Sequence, residues 1–217
     1  MAERLEAPDA RSFFAMRQLA RQAARSAEEH CDLCAEPIAH EHRHILQLPS
    51  RELLCACRAC TILFDRGAAG AGNRRLVPTR YLYLAGFEMT DAQWESLRVP
   101  VDMAFFISNT IAGRVMAFYP GPAGPTESLL TLETWQDLER RNPIVRAMEP
   151  DVEALLANRV RGATDYFLVP IDACYQLVGL FRMHWKGLSG GREVWSEIER
   201  FFSGVKERAD LVGGADA

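Results

Sequence analysis

The sequence has little lysine, no block of like charge and no long apolar run. Only two of its 25 cationic residues are lysine, Lys186 and Lys206, and the formal net charge is −4. This composition disfavours a nucleic-acid partner, because such proteins usually concentrate basic residues on one face. No stretch approaches the roughly 20 apolar residues that a membrane-spanning helix needs. The first residues carry acids and no continuous apolar segment, so we expect no signal peptide and a cytoplasmic protein.

Cysteine is also scarce outside one segment, since five of the six cysteines fall between residues 31 and 60. In a reducing compartment such clustering indicates metal binding rather than disulfides. Two CxxC pairs, Cys31 with Cys34 and Cys57 with Cys60, are separated by 22 residues. Each pair can offer two thiolates to one ion from a tight turn, and four thiolates complete a tetrahedron. The pattern predicts one structural zinc. Iron, as FeS4 or as an iron–sulfur cluster, is the alternative metal.

Four further side chains in this segment are candidate substitutes for a cysteine ligand. Cys55 lies two positions before Cys57 and would point the same way on a strand. It is either a core thiol or a replacement ligand. His40, His42 and His44 alternate and would share one face of an extended segment. One of them could complete a site of three cysteines and one histidine, or the three could form a polar entrance to a hairpin.

Hydrophobic periodicity predicts an α+β fold in three parts. Residues 1–30 contain an N-terminal helix, over 9–29. Residues 31–66 form a four-cysteine metal-binding module whose two short strands meet at a turn at Pro49 and Ser50, in the manner of a zinc ribbon or treble clef. A glycine-rich linker, 66–75, leads to an α+β domain, 76–209, with an antiparallel sheet and C-terminal helices. The proline-rich segment 119–128 is predicted to be a loop, and the tail after residue 210 to be frayed.

The sequence offers no convincing catalytic set, and we predict no catalytic residue. Cys174 has Asp172 and His184 nearby in the chain, but it lies on the apolar stripe of a predicted helix. A reactive cysteine needs an adjacent base and an accessible, electropositive setting. We therefore expect Cys174 to be a core residue.

Two resemblances carry further expectations. The segments CDLC, HEHRHIL, RELLCACRACTILF and VPIDACYQLVGLFRMHWKGLSGGREVW together resemble an uncharacterised bacterial family encoded beside high-affinity uptake [NiFe]-hydrogenases. This resemblance implies a cytosolic accessory or maturation role, or electron transfer if the metal is iron. The cysteine segment alone is distantly similar to treble-clef HNH nucleases. It lacks the asparagine between the knuckles and the closing histidine after Cys60, so only the metal scaffold is implied.

These features favour a zinc-binding, non-enzymatic accessory or assembly protein that acts through protein–protein contacts, and the first resemblance suggests a [NiFe]-hydrogenase as the protein it serves. The expected partner is a hydrogenase or a maturation factor. A redox protein with an iron–thiolate site is the first alternative, and a nucleic-acid-binding zinc module is the second. Visible colour would separate iron from zinc, and strongly salt-dependent binding would indicate nucleic acid.

Overall fold

The computed structural model describes residues 29–64, 72–187 and 190–213. The helix predicted for residues 9–29 therefore lies outside the described residues, apart from its last position. The described residues form a mixed α+β fold with an antiparallel sheet and C-terminal helices, which confirms the predicted fold class. None of the described helices has the length and apolar character needed to cross a bilayer.

The described elements are short strands, singly or in runs of two or three, interspersed with helices. In chain order they are β1 (Arg43–Gln47), β2 (Glu52–Ala56), α1 (Arg58–Phe64), β3 (Arg74–Leu76), β4 (Leu82–Leu84), α2 (Asp91–Ser96), β5 (Met103–Asn109), β6 (Arg114–Gly121), β7 (Gly124–Ser128), α3 (Leu132–Arg141), a 3-10 turn (Pro143–Ala147), β8 (Glu153–Asn158), a second 3-10 turn (Val160–Gly162), β9 (Asp165–Pro170), α4 (Ile171–His184), α5 (Gly191–Arg208) and β10 (Asp210–Val212).

A three-stranded antiparallel sheet follows the first cysteine pair, in the order β2-β1-β3. The hairpin of β1 and β2 is the one predicted, with its turn at Pro49 and Ser50. Strand β3 pairs with the free edge of β1, with Leu76 opposite Ile45. The end of the predicted linker is thus a strand, because an open sheet edge outweighs the local glycine-rich composition. The division of the chain into domains stays a prediction.

A seven-stranded sheet forms the larger part of the structure, in the order β10-β4-β9-β8-β5-β6-β7. Its strands pair antiparallel except β10 with β4, which run parallel. Strand β8 lies at the centre of this sheet and is fully buried. No sequence pattern predicted this strand, because its apolar run is short and carries Glu153 at its start.

The large sheet buries both faces, since successive side chains on a strand point to opposite sides. On one face Phe105, Leu156 and Phe167 pack with α4 and α5. On the other face Phe106 and Leu155 pack with α3 and the turn that follows it. Helix α5 turns the five predicted apolar residues inward, namely Val194, Ile198, Phe201, Phe202 and Val205.

Two predictions about irregular segments are wrong. The proline-rich segment is not a loop but the hairpin of β6 and β7, in which Pro120 lies opposite Pro125. Strand β7 is at the sheet edge, where a missing backbone donor is tolerated. The tail is not wholly frayed, because Asp210–Val212 adds β10 beside β4.

The small sheet packs on the same core as α4 and α5. Leu46, Leu48 and Val77 belong to the cluster that contains Phe105 and Leu156. Leu53 also packs against this cluster. One face of the β1–β2 hairpin is therefore directed at the core between the large sheet and helices α4 and α5, and this face also carries His44 and Cys55.

Candidate metal centre

The first cysteine pair lies in a tight turn before β1. The N–H of Ala35 donates to the carbonyl of Cys31 at 2.8 Å, and the N–H of Cys31 donates to the carbonyl of Glu36 at 2.8 Å. Ala35 has a positive φ of 60°. This reversal of the chain places both thiols of the CxxC pair on one side of the turn.

The second cysteine pair spans the junction of β2 and α1. Cys57 follows the strand, and Cys60 lies in the first turn of the helix. The N–H of Cys60 donates to Sγ of Cys57 at 3.4 Å. This bond holds the two cysteines of the pair close together at the start of the helix.

Backbone and side-chain bonds hold the two pairs together. The N–H of Asp32 donates to the carbonyl of Cys55 at 2.9 Å. In return, the N–H of Cys55 donates to Oδ2 of Asp32 at 2.6 Å. The first turn is thereby fixed against the end of β2, next to the second pair.

The four predicted cysteines come together in one group, which we call the four-cysteine cluster. The Sγ atoms of Cys31, Cys34, Cys57 and Cys60 all lie within 4.8 Å of one another, and those of Cys34 and Cys57 are 3.6 Å apart. Four sulfurs bound to a tetrahedral ion at about 2.3 Å would be separated by about 3.8 Å. Cys34 is exposed and the other three are buried. The cluster could therefore hold one metal ion.

The electrostatics of the cluster favour a bound cation. Burial raises the pKa of the Cys31 thiol, but backbone hydrogen bonds, that of Cys57 first, lower it in total to about 6. Hydrogen bonding with Cys34, followed by burial, raises the pKa of Cys60 to about 12. The Cys31 thiol ionises readily, and its negative charge adds to the causes that raise the pKa of Cys60. A bound cation would offset the repulsion between neighbouring thiolates, since a metal stabilises the deprotonated form of its cysteine ligands.

The possible substitute ligands lie elsewhere. Cys55 is not in the four-cysteine cluster but pairs across the hairpin with His44. Ligand atoms of His42, His44 and Cys55 lie within 4.8 Å of one another and form a separate group. His40 is exposed and belongs to neither group. The pKa of Cys55 is raised by burial first and then by the carboxylates of Asp32 and Glu29.

Cys174 and its sequence neighbours do not form a catalytic set. Cys174 is fully buried, and burial raises its pKa well above the ordinary value, with Asp172 adding to the effect. Asp172 pairs with His44, at 2.8 Å between Nδ1 and Oδ2. His184 pairs with Glu193, at 3.2 Å. Cys174 is thus the core residue that was expected.

Two buried acids near the small sheet were missed by sequence analysis. Asp151 accepts from Arg51 at 3.1 Å and from the Thr110 hydroxyl at 2.6 Å. Glu153 accepts two bonds from Arg80, at 2.5 and 2.6 Å. Their partners are 41 to 100 residues away in the chain, so no local pattern could have indicated them.

Comparison with known proteins places the whole arrangement in one family. Residues 30–209, which include every element from the first cysteine turn to α5, match a family of unknown function, DUF5947. The chain belongs to this family. No curated protein and no solved structure matches this DUF5947 protein. Both the four-cysteine cluster and the His42, His44 and Cys55 group lie inside the matched range.

Proposed function

We propose that this DUF5947 protein is a zinc-binding, non-enzymatic accessory protein that acts through contacts with another protein. The observation that carries the proposal is the closeness of four thiols, all within 4.8 Å of one another. Four thiolates saturate a zinc ion and leave no position for water or substrate, which is typical of structural rather than catalytic zinc.

Zinc is favoured over iron by the sequence around the ligands. The knuckles CDLCAE and CRACTI contain neither proline nor glycine, residues that usually surround the cysteines of rubredoxin-type iron sites. Zinc has no preference for a particular d-electron geometry and accepts plain CxxC turns. Iron remains the alternative, because tetrahedral donor sets of four sulfurs suit both metals.

Exposed apolar side chains beside the cluster support a role in protein contacts. Helix α1, which carries Cys60, exposes Ile62 at 68% and Leu63 at 57%. Adjacent apolar side chains on a short exposed helix are costly in water and suit a protein partner. The resemblance to a family encoded beside [NiFe]-hydrogenases makes a hydrogenase or a maturation factor, in the cytoplasm, the first partner to test.

The metal is tested on protein purified anaerobically and washed with a weak chelator. We expect one tightly held zinc per chain by ICP-MS and no visible absorbance. Iron with visible absorbance would replace this proposal with electron transfer. Folded protein without any tightly held metal would contradict both.

The partner is tested by affinity purification from the native cells. We expect a hydrogenase component to co-purify with the unmodified chain and to be lost with Ile62→Asp combined with Leu63→Asp. Ile111→Asp is the matched control, because Ile111 is 64% exposed in the β5–β6 turn, on a different element from α1. If both variants retain the component equally, α1 is not the contact surface. If the unmodified chain recovers none, the hydrogenase partner is wrong.

A further inference from the structure

Two histidines and a cysteine converge on the face of the hairpin that is directed at the core of the large sheet. His44 on β1 lies directly opposite Cys55 on β2. His42 precedes His44 by two residues, a spacing that keeps both on one face of an extended chain. The rings of His42 and His44 are 4.9 Å apart between centroids, and one ligand atom from each of the three residues lies within 4.8 Å of the others.

The two imidazoles are oriented as metal ligands usually are. Nδ1 of His42 is 2.9 Å from the carbonyl oxygen of Ala39. Nδ1 of His44 is 2.8 Å from Oδ2 of Asp172. A histidine that binds a metal typically donates its other ring N–H to a carbonyl or a carboxylate, which fixes the ring and its tautomer. Both rings already have this second contact, so Nε2 is the atom left to bind an ion.

One ligand atom is buried and unsatisfied. The side chain of His42 is only 10% exposed, and its Nε2 has no hydrogen-bond partner. A buried ring nitrogen without a partner is unfavourable and rare in folded proteins. Oδ1 of Asp172, whose other oxygen contacts His44, is likewise buried and without a partner. An ion bound to Nε2 of His42 would give this nitrogen a partner and remove the free-energy cost of leaving it unsatisfied.

We propose that His42, His44 and Cys55 form a second metal site, for an exchangeable first-row divalent ion in the range of Co²⁺ to Zn²⁺. Two imidazoles and a thiolate suit these ions and not Mg²⁺ or Ca²⁺, which prefer oxygen. Three protein ligands leave at least one coordination position for water or an exogenous ligand, in contrast to the saturated four-cysteine cluster.

An open cleft lies beside this second site. It has a volume of about 650 Å³. His42 and His44 line one side of it. The other side is lined by Asp172 and Tyr175 of α4, by Arg208 of α5 and by Tyr81, which precedes β4. A fourth ligand from solution can therefore reach the ion. Since the second site shares no ligand with the four-cysteine cluster, the two sites can be tested separately.

The test is a Co²⁺ titration of the full chain under anaerobic, reducing conditions, after weakly held metal has been removed. ICP-MS first counts the ion that resists the chelator, which reports on the four-cysteine cluster alone. We then expect one further equivalent of Co²⁺ to bind, with a thiolate-to-cobalt absorption band. Cys55→Ser and His42→Ala should each lower the affinity for this second Co²⁺ by about 100-fold or more and leave the first ion in place.

Two further variants separate ligation from a general structural effect. His40→Ala replaces a histidine of the same HEHRH segment that lies outside the site. It should leave the binding of both ions unchanged. Asp172→Asn should preserve the second site but lower its affinity for the ion by about 10- to 100-fold, because it alters only the partner of His44. If Cys55→Ser also lowers the occupancy of the first ion, His42→Ala decides, because His42 lies outside both CxxC pairs and the strand that leads to the second pair. A chain that binds no second equivalent, or whose His42→Ala variant binds it equally well, overturns the proposal.

Discussion

The Sγ atoms of Cys34 and Cys57 lie 3.6 Å apart although the two residues are separated by 23 positions in the chain. The distance is close to the edge of a tetrahedron of sulfurs around one ion. It is set by the pairing of β1 with β2, which returns the chain to the first cysteine turn, and by the bonds between Asp32 and Cys55. The hairpin and the ion should therefore stabilise each other.

Cys57→Ser should abolish the tightly held ion and loosen residues 29–64. A structural zinc contributes about 10–16 kcal/mol of binding free energy. The cysteines form a small buried cluster of their own, joined by Leu33 and Ile38, and this part of the segment should depend on the ion. ICP-MS measures the ion, and hydrogen exchange compares the amides of β1 with those of the buried strand β8. We expect faster exchange in β1 only. Cys174→Ala is the control, since this cysteine lies on α4 in a different buried cluster from the four cysteines, and its replacement should leave the ion bound. Retention of the ion by Cys57→Ser would show that Cys57 is not a ligand.

Arg80→Ala should lower the free energy of unfolding by about 3 kcal/mol, because it leaves the Glu153 carboxylate buried without its cation. Glu153 is 0% exposed and receives two bonds from Arg80. Urea denaturation measures the change. Arg114→Ala removes half of an exposed pair with Glu127 and should cost less than about 1 kcal/mol. Equal losses for the two variants would mean that burial of Glu153 does not determine the effect.

The candidate site could be predicted largely from sequence, and the sheet only in part. Two CxxC pairs flanking a hairpin are a local signal, and the four sulfurs meet as that spacing indicates. The long helices were also predictable, because segments of 14 and 18 residues are long enough for the helical spacing of apolar residues to be recognised. The strands β3 and β10 were missed because three residues carry no periodic signal. They form only because a neighbouring strand offers an unpaired edge.

The group of His42, His44 and Cys55 shows the limit of sequence patterns more sharply. The alternation of HEHRH indicated a shared face, but not what the face was directed at. Cys55 became their neighbour through the pairing register of the hairpin, and Asp172 through the packing of α4, 128 residues further along the chain. Contacts between residues so far apart in the chain depend on how the core is assembled, so they cannot be predicted from local composition.

Leu156→Ala should lower the free energy of unfolding by about 2–5 kcal/mol, the usual cost of a large cavity in a core. Leu156 is 0% exposed on the central strand β8 and faces α4 and α5. Leu129→Ala removes the same atoms at a position that is 61% exposed and should change stability by less than about 0.5 kcal/mol. Thermal and urea unfolding measure both. A small effect at Leu156 would contradict the placement of β8 at the centre of the sheet.

The carboxylate of Asp137 should titrate below its ordinary range, since hydrogen bonds from Arg141 first and then from Arg140 lower its pKa. Both arginines lie within 3.0 Å of it at the end of α3, and the amide of Gln93 on α2 donates to the same group at 2.5 Å. Because the pKa is lower in the folded chain than in the unfolded chain, the stability that this carboxylate contributes is present above the unfolded pKa. It is lost as the pH falls through the folded pKa.

Arg141→Gln should therefore raise the pKa of Asp137 towards its ordinary value, as followed by carbon NMR of the side-chain carboxyl during an acid titration. Arg146→Gln serves as the control, because Arg146 pairs with Glu139 and not with Asp137. It should leave the Asp137 titration where it is. An Asp137 pKa that responds equally to both substitutions would indicate a diffuse effect of net charge, which added salt would suppress, and not the direct bond from Arg141.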